Sequence, residues 1–148
     1  MLLLKSHPMS IRLPRPRPLV AVVDDEESIR KSLRRLFMAA DLDAAVFASG
    51  QEFLDSLRAR QPDCLVLDLQ MPGLTGLEVQ RILAGAGARF PTIIITAHDE
   101  PETRARCLAA GVAAYLCKPL HDEMLLDAIA GVMGRVAASA VTEQQPRI

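Results

Sequence analysis

The chain has 148 residues, the length of one ordinary domain. Half of its residues are hydrophobic, and 17 basic against 18 acidic side chains leave a formal net charge of -1. These values exclude a strongly basic nucleic-acid binder and argue against an intrinsically disordered chain. With 3% aromatic residues and no tryptophan, the chain is also too poor in rings to form a base-stacking surface.

The two ends differ from the rest of the sequence. Residues 1–18 end in a stretch where arginine and proline alternate, which predicts a flexible leader without helix or strand. We expect one domain over 19–136 and a disordered tail over 137–148, with no room for a second domain. No apolar run is long enough for a membrane span or a signal peptide, and the three cysteines have neither disulfide nor zinc spacing, so we expect a cytoplasmic protein without membrane contact.

Five short apolar runs appear in chain order within the predicted domain. They are rich in branched residues and do not alternate with polar ones, which is typical of parallel strands buried on both faces. The run at 44–47 is the weakest. The predicted strands are 19–23, 44–47, 63–67, 92–95 and 113–117.

Helical patterns fill the gaps between these runs. Residues 29–40 carry apolar side chains at helical spacing, and Ser49 is placed to cap a second helix with Glu52 three residues later. Further helices are predicted over 76–84, over 102–110 with a stop at Gly111, and from Asp122 onward. Five β-then-α units predict a three-layer α/β sandwich with right-handed crossovers.

Polar residues follow the predicted strands where each one ends. Asp24 and Asp25 follow the first, Asp68 the third, Thr96 the fourth and Lys118 the fifth. If the sheet is parallel, these side chains gather at one edge, where ligands bind in open α/β sheets. Clustered carboxylates favour a hard divalent cation such as Mg²⁺, and a lysine with a hydroxyl suits phosphate oxygens. The set predicts transfer of a phosphoryl group to a carboxylate.

Four segments of the sequence resemble the receiver domain of bacterial two-component response regulators over about residues 19–135. The region after Thr96 looks most like the FixJ-type branch. The matching segments are VVDDE at 22–26, DCLVLDLQMPG at 63–73, ITA at 95–97 and LCKP at 116–119. The resemblance implies a doubly wound, five-stranded parallel sheet in the flavodoxin-like order 2-1-3-4-5, with helices on both faces.

The resemblance also implies a role for each pocket residue. Asp68 is expected to be the phosphoryl acceptor. Asp25 is expected to bind Mg²⁺ directly, Asp24 mainly through water and Gln70 through its backbone carbonyl, with Mn²⁺ as a substitute metal. Thr96 is expected to hydrogen-bond the phosphoryl group and Lys118 to pair with it, with the Lys118–Pro119 peptide in the cis form.

Three further positions complete this expectation. Tyr115 corresponds to the aromatic residue that switches together with Thr96. Gln70 and His98 occupy positions that modulate the lifetime of the phosphoryl group. We expect the fourth helix, fifth strand and fifth helix to form the output face, which modulates a downstream protein that the sequence does not identify.

The expected phosphoryl donor is a sensor histidine kinase or a phosphotransfer protein. The chain is expected to be an acceptor that slowly loses its phosphoryl group, and not a turnover enzyme. Because the FixJ-type branch normally carries a helix-turn-helix output domain and this sequence shows none, we expect no direct binding of nucleic acid. Phosphorylation-linked formation of a homodimer through the output face is a further hypothesis.

Three other functions fit parts of the pattern. A phosphohydrolase with an aspartate nucleophile needs a general acid two residues after it, where this sequence has Gln70. A flavin carrier on the same sheet needs a glycine- and hydroxyl-rich phosphate loop where residues 24–27 are all acidic. A receiver that binds partners without being phosphorylated would not require the full set of pocket residues.

Overall fold

The computed structural model of the chain describes residues 16–144, with side chains described as far as residue 134. Most of the predicted leader, residues 1–15, lies outside this part. The strands are β1 (Leu19–Val23), β2 (Asp43–Phe47), β3 (Cys64–Asp68), β4 (Thr92–Thr96) and β5 (Ala114–Cys117). The helices are α1 (Glu27–Ala39), α2 (Gly50–Ser56), α3 (Gly76–Gly85), α4 (Pro101–Ala109) and α5 (Asp122–Gln144).

The five strands form one parallel sheet in the order β2-β1-β3-β4-β5, which confirms the predicted topology. All residues of β1, β3 and β4 are buried, because helices cover both faces of the central strands. The unalternated apolar runs therefore reflect burial on both faces. Every residue of β2, by contrast, is only partly buried, since β2 lies at one edge of the sheet.

Two hydrophobic cores lie on opposite faces of the sheet. Alternate residues of a strand point to opposite faces, so Val20 and Val22 enter one core while Ala21 and Val23 enter the other. The first core includes side chains of α1 and α5, and the second includes side chains of α2, α3 and α4. The two layers of helices hold the carboxyl ends of the strands in fixed positions.

Side chains define where two of the helices begin. The hydroxyl of Ser49 accepts a hydrogen bond from the Glu52 backbone N–H at 3.2 Å, as predicted. A full capping box forms at α3, where Thr75 and Glu78 each accept a hydrogen bond from the other's backbone N–H. This box fixes the start of α3 eight residues after the end of β3.

The prediction of a disordered tail over 137–148 is wrong for its first part, since the backbone of α5 is helical as far as Gln144. Residues 136–140 are Val-Ala-Ala-Ser-Ala, and alanine is the strongest helix former. The sequence places no glycine or proline between Gly134 and Pro146, so nothing in it interrupts the helix. Residues 145–148 lie outside the described part. Of the helices described, none is long and apolar enough to cross a membrane.

Candidate functional site

Two buried aspartates lie side by side at the carboxyl ends of β1 and β3. Asp24 directly follows β1, and Asp68 is the last residue of β3. Because these strands are parallel neighbours, both side chains reach the same edge of the sheet. Asp24 is 0% exposed and Asp68 is 4% exposed, whereas Asp25 is exposed. One carboxylate oxygen from each of the three lies within 4.8 Å of the others.

The ammonium group of Lys118 forms ion pairs with this cluster. The Nζ atom of Lys118 lies 2.9 Å from Asp24 Oδ2, 3.4 Å from Asp68 Oδ1 and 3.6 Å from Glu26 Oε1. Only 12% of the lysine side chain is exposed. It enters the site directly after β5, and its peptide bond to Pro119 is cis, as predicted. The lysine therefore bridges the ends of strands that are distant in the sequence.

The backbone and carboxylate of Asp24 are held by three further hydrogen bonds. Its backbone N–H donates to the carbonyl of Phe47 at 3.1 Å, and its Oδ1 accepts from the Glu26 N–H at 2.9 Å. Its carbonyl accepts from Nη1 of Arg30 in α1 at 2.9 Å. Arg30 was not predicted from the sequence, because a hydrogen bond from a side chain to a backbone carbonyl leaves no motif.

Crowding of the carboxylates changes the acidity of the site. The pKa of Asp68 is raised from 3.8 to about 6, chiefly by burial and also by the negative charges of Asp24 and Asp25, while Lys118 opposes the shift. Burial alone would lower the pKa of Lys118, but its hydrogen bond to Asp24 and the surrounding carboxylates raise the pKa overall. The site thus holds more negative charge than its single cation neutralises.

The three aspartates fit a hard divalent cation. Mg²⁺ takes oxygen ligands, and it commonly uses one or two carboxylates together with water. Asp24, Asp25 and Asp68 supply such oxygens at mutual distances that one ion can bridge. A second positive charge would also relieve the repulsion that raises the pKa of Asp68. Which of Asp24 and Asp25 binds directly, and whether the Gln70 carbonyl contributes, stay predictions.

Thr96 ends β4 at the same edge and is 0% exposed. Its hydroxyl donates a hydrogen bond to the carbonyl of His98 at 3.0 Å and accepts one from the His98 backbone N–H at 3.1 Å. The hydroxyl is therefore engaged with the loop that follows β4. A change of its partner would release a loop that leads directly into α4.

Tyr115 lies in β5 and is buried, with its ring inside the core that α2, α3 and α4 cover. Its hydroxyl has no hydrogen-bond partner among the described residues. The guanidinium of Arg104 in α4 lies 5.3 Å from the centre of the ring, within the range of a cation–π contact. This contact joins α4 to β5, and the role of Arg104 was not predicted from the sequence.

The structure does not bring every predicted residue into the pocket. The side chains of Gln70 and His98 are exposed, and the contacts of His98 with Thr96 involve only its backbone. A modulating role for either side chain therefore stays a prediction. Both flank the cluster in sequence, two residues after Asp68 and two after Thr96.

Gly76 is a site residue whose role was not predicted from the sequence. A Cβ atom on this first residue of α3 would lie 2.4 Å from the carbonyl oxygen of Asp68 and 2.9 Å from Cα of Leu69. The Gly76 N–H donates to the Leu69 carbonyl at 2.9 Å. Only glycine lets α3 begin this close to the backbone of the central aspartate. A helix that starts just after a loop gives no sequence signal of such an approach.

Comparison with known proteins agrees with this geometry. The family model of the response regulator receiver domain matches residues 20–130. Nodulation protein W of Bradyrhizobium diazoefficiens is 38% identical over 80% of this chain and 52% of its own length. Response regulator MprA of Mycobacterium tuberculosis is 38% identical over 84% of this chain and 54% of its own length. A response regulator receiver protein from Burkholderia phymatum superposes with a TM-score of 0.72 at 46% identity, covering 80% of this chain and 96% of that one.

The chain belongs to the response regulator receiver domain family of two-component systems. The sequence motifs therefore identified the family correctly, and the fold is that of a receiver. The chain spans about half the length of these two curated relatives, 52% and 54% respectively.

Proposed function

We propose that Asp68 accepts a phosphoryl group from the phosphohistidine of a sensor histidine kinase or a phosphotransfer protein, in a reaction that requires Mg²⁺. The supporting observation is a buried carboxylate that lies between two other aspartates and a lysine ammonium, at the ligand-binding edge of the sheet. In the transfer, an oxygen of Asp68 forms a bond to phosphorus while the bond between phosphorus and the imidazole nitrogen of the donor breaks. The imidazole is the leaving group and remains part of the donor protein.

The pocket residues support this reaction mainly through charge and position. With its pKa at about 6, Asp68 is mostly ionised at neutral pH and can act as the nucleophile. Lys118, 3.4 Å from Asp68 Oδ1, offers its ammonium to the oxygens of the incoming group. The bound metal supplies neutralisation of negative charge on those oxygens. Mn²⁺ is expected to substitute, since it accepts the same oxygen ligands.

We further propose that phosphorylation changes the partner of the Thr96 hydroxyl. In the structure this hydroxyl bonds the backbone of His98, and a phosphoryl group on Asp68 would offer it a more strongly charged acceptor. Release of the loop then alters the packing of α4 against Tyr115 in β5. The face formed by α4, β5 and α5 would carry the signal to a downstream protein or a second copy of the chain. Phosphorylation thereby shifts an existing equilibrium between two arrangements.

The chain is proposed to act as a stoichiometric acceptor in the cytoplasm and not as a turnover enzyme. Gln70, two residues after Asp68, carries an amide, which cannot protonate the leaving group of a small phosphoester. Water attack on the aspartyl-phosphate is then the route by which the phosphoryl group is lost. His98 and Gln70, both exposed beside the site, are the residues we expect to set this rate.

Phosphorylation by acetyl phosphate tests the acceptor. The wild type, Asp68→Asn and Asp127→Asn are incubated with Mg²⁺, with Mn²⁺ or with EDTA, and the acid- and base-labile phosphoprotein is separated on a phosphate-affinity gel. We expect labelling of the wild type and of the Asp127 variant, whose altered residue is exposed on α5. Labelling of Asp68→Asn at the wild-type level, or labelling in EDTA, would overturn the proposal.

Tyrosine spectroscopy tests the switch. The chain contains one tyrosine and no tryptophan, so its tyrosine fluorescence reports on Tyr115 alone. Beryllofluoride, which mimics a phosphoryl group, should change this fluorescence in the wild type but not in Asp68→Asn. An unchanged signal in the wild type, under conditions where phosphorylation by acetyl phosphate succeeds, would refute the switch and leave the acceptor role intact. Sedimentation of the same samples tests the homodimer.

A further inference from the structure

The outer edge of β2 has free backbone groups. In a parallel pair, residues that bond the neighbouring strand alternate with residues that point away from it. The Asp43 N–H donates to the Pro18 carbonyl and the Phe47 carbonyl accepts from the Asp24 N–H, so the odd-numbered residues of β2 bond towards β1. The N–H and C=O groups of Ala44 and Val46 consequently point outward. Within residues 16–134, neither has a hydrogen-bond partner on that side.

A groove of about 460 Å³ runs along this edge between α1 and α2. Ala44 and Ala45 of β2 line the groove with small side chains, which point to opposite faces of the sheet. Met38 of α1, which is 60% exposed, forms part of one wall. Phe47 and Phe53 line the floor on the other side. The groove therefore combines apolar surface with an open strand edge.

Three arginines surround the groove: Arg17 before β1, Arg34 in α1 and Arg60 after α2. One carboxylate, Asp43, also lines it. The ion pair between Arg60 and Asp43 is 4.0 Å long and about half exposed, so it contributes little and exchanges readily with another acid. The groove thus carries an excess of positive charge in a chain whose net charge is -1.

We propose that this groove is a docking site for an extended acidic segment of a partner protein, which adds a strand to the free edge of β2. The backbone of the segment would bond the outward groups of Ala44 and Val46. Its apolar side chains would occupy the groove, and its acidic side chains would pair with Arg17, Arg34 and Arg60. Strand addition with alternate side chains in pockets is an established mode of peptide recognition.

Charge argues against the chain's own leader as the occupant. Residues 1–15 carry Lys5, Arg12 and Arg15 and no acidic residue, so the leader would meet the groove arginines with like charge. The prolines of the leader also lack the N–H that strand pairing needs. Nucleic acid fits less well than a peptide, because the two phenylalanines on the floor pack edge-to-face on each other and offer no open platform for bases.

Fluorescence polarisation with a designed peptide tests the proposal. The strand β2 is five residues long, so the probe is a fluorescein-labelled peptide of about seven residues that alternates glutamate and valine. We expect it to bind the full chain, with an affinity that falls at high salt. A peptide that alternates lysine and valine should not bind. Binding of the lysine peptide as tightly as the glutamate peptide, or of neither, would overturn the proposal.

Matched variants locate the binding surface. Arg34→Glu combined with Arg60→Glu should weaken binding of the glutamate peptide by about tenfold or more, since two attractions become repulsions. The control combines Arg35→Glu with Arg58→Glu. Both residues are exposed and close in sequence to the groove arginines, but neither lines the groove, so the same change in net charge should have little effect on binding. Equal losses for the two double variants would refute the location.

Two further arms test the mode of binding without altering the fold. A glutamate peptide methylated on alternate backbone nitrogens keeps its charges but loses its edge hydrogen bonds, so we expect much weaker binding. Retained affinity would refute strand addition. The last competitors are a peptide of residues 1–15 and a short single-stranded DNA. If either displaces the probe as effectively as unlabelled glutamate peptide, the groove is assigned to the leader or to nucleic acid and the proposal is overturned.

Discussion

Replacing Asp68 by asparagine should stabilise the metal-free protein, although it removes the proposed acceptor. The pKa of Asp68 is about 6 in the folded chain against an ordinary value of 3.8. This difference of about two pKa units, at about 1.4 kcal/mol each, means that the ionised carboxylate costs the fold about 3 kcal/mol above pH 6. Asparagine has nearly the same shape and no charge, and Lys118 retains its 2.9 Å bond to Asp24.

The size of the stabilisation by Asp68→Asn depends on pH in a defined way. Because the pKa of Asp68 is raised by folding, the folded state binds a proton more tightly than the unfolded state does. The wild type therefore loses stability as the pH rises from about 4 to about 6, and the loss is complete above that range. The advantage of Asp68→Asn should be near zero below pH 4, about half of its maximum at pH 5, and about 3 kcal/mol at pH 8.

Urea unfolding in EDTA at pH 4, 5 and 8, followed by far-UV circular dichroism, measures this difference. Asp127→Asn, an exposed site on α5, serves as the control and should change stability by less than about 0.5 kcal/mol at every pH. Adding Mg²⁺ should stabilise the wild type more than Asp68→Asn and so narrow the gap. A variant that is less stable than the wild type at pH 8, or a gap that does not change with pH, would refute the reasoning about the crowded carboxylates.

Three other outcomes follow from packing and exposure. Gly76→Ala should lower the free energy of unfolding by about 1–3 kcal/mol in the same urea titration, because its Cβ would press on the Asp68 backbone. Gly85→Ala, at the other end of α3, is the control. Its Cβ meets nothing within 4 Å, so this variant should be neutral or stabilising. Tyr115→Phe removes a buried hydroxyl that has no hydrogen-bond partner among the described residues, and it should stabilise the unphosphorylated protein by about 1 kcal/mol in thermal unfolding. A loss of stability of that size would mean that the hydroxyl does form a hydrogen bond. A thiol reagent at pH 8 should label the exposed Cys117 in the folded protein and the two buried cysteines only on unfolding, and Cys117→Ser should abolish labelling of the folded protein.

Much of the fold could be predicted because strong local patterns and packing agree. The buried strands β1, β3 and β4 consist of apolar runs that fit only a doubly covered sheet. The site could be predicted from the polar residues that end these runs, because Asp24, Asp68 and Thr96 lie at the carboxyl ends of parallel strands and therefore at one edge of the sheet. Position relative to a strand end was therefore enough to find the cluster.

Other features depend on three-dimensional contacts that leave no local pattern. Asp24 and Asp25 are identical neighbours in the sequence, yet only Asp24 turns into the interior and reaches Lys118. The cation–π contact of Arg104 with Tyr115 depends on the rotation of α4, and the β2 groove depends on the spacing of two helices. The end of α5 was misplaced because alanine-rich sequence was interpreted as a tail and not as helix.

The bond between Lys118 and Asp24 joins residues that are 94 positions apart. During synthesis the aspartates of β1 and β3 emerge long before the lysine that neutralises them, so an amino-terminal fragment carries a repulsive acidic cluster at the edge of an unfinished sheet. Docking of β5 brings Lys118 to the carboxylates and so reduces that repulsion in the same step that completes the sheet. Any step at this site that depends on Lys118 therefore requires β5 to have joined the sheet.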